Sequence, residues 1–315
     1  MAINITITGA TGLIGTKLVK ALRDRGDGVT VLSRSPEKAS AFLGVEAFGW
    51  DPLAGPAPAD ALVHREAVVH LAGEPVAQRW SAEVKLRIRA SREVGTRNLV
   101  AGLRAAGELA SAPKVLVSAS AVGYYGPRGD ERVPESTPAG GDFLAEACVA
   151  WEREAAAAAP ELGARVVSIR TGVVLDQSGG ALKTMLPPFR LGIGGPVAGG
   201  AQYLPWIHAD DIVGLYLRAL DDPSWSGPYN GAAPEPVTNK AFSKALGRAL
   251  HRPAVAPVPG LALKLLYGDM AEVVTQGQRA VPDRALAGGF AFRFEDLDAA
   301  LGVALKYLAP SAASR

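Results

Sequence analysis

The 315-residue chain carries 33 Lys+Arg against 31 Asp+Glu, a formal net charge of +2, with one cysteine and four histidines. This balance comes without a basic block or a stripe of interleaved aromatics, which argues against nucleic acid as a partner, and no apolar run approaches the roughly 18 residues of a spanning helix, so no membrane partner is expected. The lone Cys148 excludes an internal disulfide and a multi-cysteine metal site, and the histidines at 64, 70, 208 and 251 lack metal-ligand spacing, so no structural metal is expected.

Residues 3–8 alternate β-branched positions and run into Gly9-Ala10-Thr11-Gly12-Leu13-Ile14-Gly15, after which Leu18 and Leu22 fall one helical turn apart. Strand, glycine turn and helix form a phosphate-binding unit. Gly9 allows the sharp turn, Gly12 lets backbone approach a pyrophosphate, and Gly15 permits close helix-on-strand contact. The helix N-terminus adds unpaired N–H groups and the positive end of its dipole. With Val29-Thr30-Val31-Leu32 as a second strand, the pattern reads as a dinucleotide site whose cofactor-binding residues include Gly9, Thr11, Gly12, Leu13, Ile14 and Gly15. Because the first ten residues already serve as a core strand, no signal peptide is expected and the compartment is read as cytoplasmic.

The loop Ser33-Arg34-Ser35-Pro36-Glu37-Lys38 falls where the adenosine ribose would lie. An acidic residue there would accept from a ribose 2′-OH, whereas a 2′-phosphate wants a guanidinium and hydroxyls. Ser33, Arg34, Ser35 and Lys38 therefore select NADP. Glu46-Ala47-Phe48-Gly49-Trp50-Asp51-Pro52 reads as the third strand and the turn after it, where Asp51 either touches the adenine or caps the turn. Ala67-Val68-Val69-His70-Leu71-Ala72-Gly73 reads as a buried strand ending in small residues, which brings Leu71, Ala72 and Gly73 under the cofactor and leaves His70 as a core histidine. A long helix follows from Ser81 to Ala106-Gly107.

The strand 114–120 delivers Ser118, Ser120, Tyr124 and Tyr125 to its carboxyl end, where open α/β sheets bind ligands. Asp142 caps the next helix and leads into an alanine run. Beyond a strand at 164–170 the composition shifts to Gly and Pro, marking the crossing into a second lobe. Asp210 or Asp211 suits the N-cap of the following helix, Gly227–Gly231 returns to the sheet, and helices are expected at 239–250 and Leu261–Gln276, with a tail from Phe290 to Leu308. The expected fold is α/β: a Rossmann-like, doubly wound parallel sheet with a smaller C-terminal α/β lobe. Residues 1–171, with a return segment near 206–230, form the NADP-binding domain, and 172–205 with 231–315 the substrate-binding lobe.

The glycine turn, Ser118-Ala119-Ser120 before Tyr124-Tyr125-Gly126, Trp206-Ile207-His208-Ala209-Asp210-Asp211 and Asn230-Gly231-Ala232-Ala233-Pro234 together resemble extended short-chain dehydrogenases/reductases. The likeness is nearest to the atypical epimerase-like branch with a C-terminal conserved domain, to which Gly268-Asp269-Met270-Ala271, Gln278-Arg279-Ala280-Val281-Pro282 and Gly289-Phe290-Ala291-Phe292 are similar. The resemblance implies a serine that binds the substrate oxygen, matched by Ser120, and a Tyr-x-x-x-Lys acid/base pair. Phe143-Leu144-Ala145-Glu146-Ala147-Cys148 stands at that helix position with neither residue. A phenol with its ordinary pKa near ~10 needs a neighbouring cation to move protons near neutrality. Two functions are expected on this basis. The first is an NADPH-dependent oxidoreductase or epimerase-like enzyme acting on a small carbonyl or hydroxyl substrate, sugar-like compounds included, with Ser120 orienting and Tyr124 or Tyr125 as proton donor. The second is a non-catalytic NADP(H)-binding sensor. The chain is expected to be a monomer or homodimer.

Overall fold

The N-terminal alternation of β-branched residues becomes β1 (Asn4–Thr8), an inner strand of a seven-stranded sheet. The structure, a computed structural model, describes residues 2–306. The strands in chain order are β2 (Gly28–Ser33), β3 (Glu46–Gly49), β4 (Ala67–His70), β5 (Val115–Ala121), β6 (Arg132–Val133), β7 (Arg165–Thr171), β8 (Val173–Leu175), β9 (Tyr203–Leu204), β10 (Trp206–His208), β11 (Gly227–Gly231), β12 (Val237–Thr238) and β13 (Arg279–Ala280). The main sheet runs β3-β2-β1-β4-β5-β7-β11 with every pair parallel. Chain order reverses between β1 and β4, and at such a switch point the carboxyl ends diverge to leave a crevice.

Helices cover both faces, as an all-parallel sheet requires. On one face α1 (Leu13–Arg25) and α7 (Ala209–Asp221) bury Leu18, Leu22, Ile212, Leu215 and Tyr216 against Ile5 and Ile7. On the other, α3 (Ala82–Leu109), α4 (Phe143–Ala156) and the short α5 (Ala158–Leu162) pack Leu99, Leu103, Ala155 and Ala158 on Val68 and Leu116. The helix α2 (Pro36–Leu43) follows β2 and flanks its end. A separate core joins α6 (Gly180–Arg190), α8 (Asn239–Leu250) and β10 through Leu182, Leu186, Trp206, Phe242 and Leu246.

Two expectations about elements are corrected. The stretch Leu261–Gln276 is not one helix. It splits into α9 (Gly260–Tyr267) and α10 (Ala271–Thr275) around a 3-10 turn beginning at Gly268, whose φ of +63° suits glycine. The N-cap of α7 is neither Asp210 nor Asp211. The helix begins at Ala209, so His208 occupies the cap and its Nδ1 accepts the Asp210 N–H at 3.1 Å. Asp211 is buried instead, its carboxylate accepting the N–H groups of Arg293 at 2.7 Å and Phe294 at 3.1 Å. The helix α11 (Asp283–Ala287) precedes the tail, which contains α12 (Leu297–Ala304), and the tail's expected end at Leu308 lies outside the described residues. Among the described residues, no helix is long and apolar enough to cross a membrane.

Candidate functional site

At the switch point the glycine turn is sterically fixed. Gly9 has a φ of +68°, and a Cβ there would stand 2.7 Å from the carbonyl carbon of Leu71 and the nitrogen of Ala72. A Cβ on Gly15 would lie 2.6 Å from Ala10 Cα and Gly9 O, so the first turn of α1 can sit this close to β1 only with glycine. Gly12 is the N-cap of α1 and offers no side chain to the amides that follow, which leaves them open to a ligand anion.

Around this turn lies an open cleft of about 610 Å³. Ten of the expected cofactor residues line it: Gly9, Thr11 and Gly12; Ser33, Arg34, Ser35 and Lys38; and Leu71, Ala72 and Gly73. Arg34 and Lys38 are exposed and pair with no carboxylate among the described residues. Five expected residues do not line the cleft. Gly15 acts beneath it, while Leu13 faces Gly179 and Gly180. Ile14 follows Leu13 in the first turn of α1. Asp51 caps its turn, accepting the Leu53 N–H at 3.0 Å, and Ser118 is buried with its hydroxyl donating to Ala119 O at 3.1 Å. The apolar walls Phe42, Trp50, Pro52 and Pro75 escaped the sequence reading. A visible signal existed for Phe42: it stands on α2 next to the selectivity loop and remains 65 % exposed.

Beside the cleft, His70 behaves as a core residue. Thr8 Oγ1 accepts the N–H groups of Leu71 and Ala72, both at 3.2 Å, so its own proton goes to His70 Nδ1 at 2.7 Å. Nε2–H then donates to Thr96 Oγ1 at 3.0 Å. Burial, with Arg92 nearby, lowers the His70 pKa to about 4, keeping the ring neutral. His70 thereby fixes the backbone of the cleft wall.

Two of the three expected catalytic residues, Ser120 and Tyr125, are drawn into one buried network. Ser120 Oγ donates to Glu152 Oε1 at 2.7 Å, and Glu152 is gripped by Arg170 through two bonds of 2.8 Å. Arg170 Nη1 also donates to Tyr125 Oη at 2.9 Å, and Tyr125 donates to Asn230 Oδ1 at 2.7 Å. Asn230 Nδ2 continues to Val281 O at 2.8 Å, while its N–H reaches Glu135 Oε1 at 3.0 Å. Tyr125 is therefore fully committed, and burial pushes its phenol up to about 12. Burial opposes the charge on Arg170, but Glu152 holds its pKa above the ordinary value. Tyr124 differs: it is half-buried, its ring lies 3.4 Å from the Arg170 guanidinium carbon, and its hydroxyl has no partner among the described residues. Within Phe143–Cys148, the stretch that stands where the resemblance implies the Tyr-x-x-x-Lys pair, Cys148 is buried and desolvation pushes its thiol up to about 11. Ser120, Tyr124 and Tyr125 come together at the end of β5, but none of them lines the cleft.

Comparison with known proteins places these features in context. The sequence profile of the NAD dependent epimerase/dehydratase family matches residues 5–230, and that of a domain of unknown function, DUF1731, matches residues 258–303. An Arabidopsis thaliana protein named epimerase family protein SDR39U1 homolog, chloroplastic, is 42 % identical over 298 residues, covering 94 % of this chain and 85 % of its own. The crystal structure of human epimerase family protein SDR39U1 (isoform 2) with NADPH superposes with a TM-score of 0.84 at 34 % identity, covering 96 % of this chain and 98 % of that one. A nucleoside-diphosphate sugar epimerase from Corynebacterium glutamicum gives a TM-score of 0.77 at 34 % identity, covering 98 % of this chain and 59 % of that one.

Proposed function

The chain belongs to the NAD-dependent epimerase/dehydratase family, and from that premise we propose that it is an NADPH-dependent, epimerase-like oxidoreductase acting on a small carbonyl or hydroxyl compound. The observation that carries this reading is the fit of the cleft to the dinucleotide. Gly9 and Gly12 leave the space a pyrophosphate needs, the uncapped N-terminus of α1 offers amides to it, and Arg34 with Lys38 lines the cleft without a counter-ion among the described residues. The human relative's structure with NADPH supports the same choice. In this reading Ser33, Arg34, Ser35 and Lys38 hold the 2′-phosphate, Leu71, Ala72 and Gly73 support the cofactor from below, and 172–205 with 231–315 shape the substrate side.

When bound, NADPH supplies a hydride, and the proton that balances it on the substrate oxygen must come from the chain or from water. Of the two tyrosines, Tyr124 is the donor in this reading, because its hydroxyl is unengaged whereas that of Tyr125 is locked between Arg170 and Asn230. Ser120 gives its proton to Glu152 and so presents lone pairs that can orient a substrate hydroxyl. A sensor that binds NADP(H) without chemistry is the second reading, favoured by the absence of Tyr and Lys across Phe143–Cys148. One experiment separates them: NADPH deuterated at nicotinamide C4 is incubated with the protein and a metabolite extract. Deuterium recovered in a metabolite supports the enzyme. NADPH that binds but transfers no label from either ring face favours the sensor.

A further inference from the structure

Arg92 on α3 is left over when the buried network is accounted for. Its side chain is half-buried, and all its hydrogen bonds run through Nη1: to Glu74 O and Ile88 O, each at 3.1 Å, and to Ser91 Oγ at 3.4 Å. Among the described residues Nε and Nη2 have no acceptor, and no carboxylate lies within ion-pair distance. The carboxylate of Glu74 acts on Arg92 only through space, being engaged by Gln78 Nε2 at 3.0 Å and facing Arg87 Nε at 3.6 Å.

The guanidinium sits between the two halves of the site. Its carbon is 4.9 Å from the centroid of Trp151, and a Cβ placed on Gly73 would stand 3.5 Å from that carbon and 3.6 Å from Nη1 and Nη2. Gly73 lines the cleft, so with no side chain there the cation lies just behind the cleft wall. On its other side the charge of Arg92 is felt at Cys148, which also meets Ser120. Holding a partly desolvated cation without a counter-ion costs stability, and Arg is the side chain suited to bidentate recognition of a planar oxyanion.

We propose that Arg92 recognises the substrate through Nε and Nη2, and that the substrate is a small carbonyl or hydroxyl compound bearing a carboxylate. This rests on the NADPH-dependent reading above and names its substrate class. The diphosphate of the cofactor has the same oxyanion chemistry, but the Gly9–Gly12 turn and the N-terminus of α1 already serve it, so the substrate is the source assigned here.

The test uses oxamate, a carboxylate beside a carbonyl, and its neutral diamide oxamide, each titrated into the NADPH-bound protein and followed by nicotinamide fluorescence and calorimetry. Oxamate should bind at least tenfold tighter than oxamide. Arg92→Gln should lose at least tenfold in oxamate affinity while its NADPH Kd stays within twofold, and Arg92→Lys should keep part of the oxamate affinity. Equal affinity for the two probes, no binding of oxamate, or an R92Q that still binds oxamate normally overturns the proposal. So does an R92Q that loses tenfold in NADPH affinity, which would assign the anion to the cofactor. The wild-type probe ratio decides the matter even if R92Q fails to fold, as checked by its thermal melt. Wild-type protein that does not bind NADPH sinks the parent reading alone, and the probe ratio is then measured on the protein by itself and judged by the same criterion.

Discussion

Arg34 and Lys38 stand exposed on the cleft with no carboxylate partner among the described residues, so neither gives up an ion pair there to meet a phosphate. A charge-assisted contact is worth about 1.5–3 kcal/mol, so Arg34→Ala should raise the NADPH Kd by roughly 10- to 100-fold. The NADH Kd should stay within about threefold, and equal losses in calorimetric titrations would make Arg34 a bystander. The tyrosines should part company. Tyr124→Phe should lower turnover at unchanged Tm, whereas Tyr125→Phe should cost about 1–3 kcal/mol of stability by stranding Arg170 and Asn230. His70 predicts a pH effect. Its pKa falls from 6.5 unfolded to about 4 folded, so its neutral form contributes stability that is complete above pH 6.5 and lost as pH falls toward 4. Between pH 8 and pH 5 the wild type should lose about 2 kcal/mol more than His70→Asn in urea unfolding; matching losses would show that the ring does not titrate in this window. At this scale the sequence pointed to Gly9 and Arg34 through local sterics and charge, and both line the cleft. It could not expose Glu152, because the partner of Ser120 lies 32 residues away and only folding brings the two together.

Among the elements, α4 shows most clearly what local pattern can and cannot reveal. Its Asp142 cap was legible, since an Asp before an apolar helical run has little else to do, and its Oδ1 accepts the Ala145 N–H at 2.8 Å. Removing it in Asp142→Ala should cost about 1 kcal/mol, measured as a drop in Cm without a change in m; a larger loss would mean the carboxylate also supports Gly126, against which it packs. The same helix carries Cys148, Trp151 and Glu152 toward the sheet, and nothing in their spacing separates a core face from a site wall. The break between α9 and α10 was hidden for a related reason: Gly268 is tolerated within a helical pattern, and only the fold shows it as the stop, through its φ of +63° and a Cβ there that would stand 3.1 Å from Trp80 O. His208 was missed as a cap because its side chain is a rarer acceptor than the aspartates that follow it.

Across the whole molecule, the parallel sheet was readable because each buried strand is a short apolar run closed by small residues. The C-terminal segment was less so, because beside the apolar residues it buries, such as Phe292, Leu297 and Leu301, it is held by single polar contacts spread along the chain. Asp211 holds the backbone of Arg293 and Phe294, Asn230 reaches Val281, and Arg284 donates to Pro228 O at 2.6 Å and Ser226 O at 2.8 Å. Asp211→Ala should therefore unpair two part-buried N–H groups, cost about 1–3 kcal/mol, and speed hydrogen exchange at 293 and 294 ahead of the β1 amides; uniform acceleration would argue against a local anchor. These attachments also set an order of events during synthesis. Asn230 closes the edge strand β11, yet its amide partner Val281 is 51 residues downstream. At about 5–20 residues per second, the ribosome needs roughly 3–10 s to bridge that gap. For that interval the nascent sheet has all its strands but an unsealed edge, and a chaperone that shields sheet edges would find its most exposed client here.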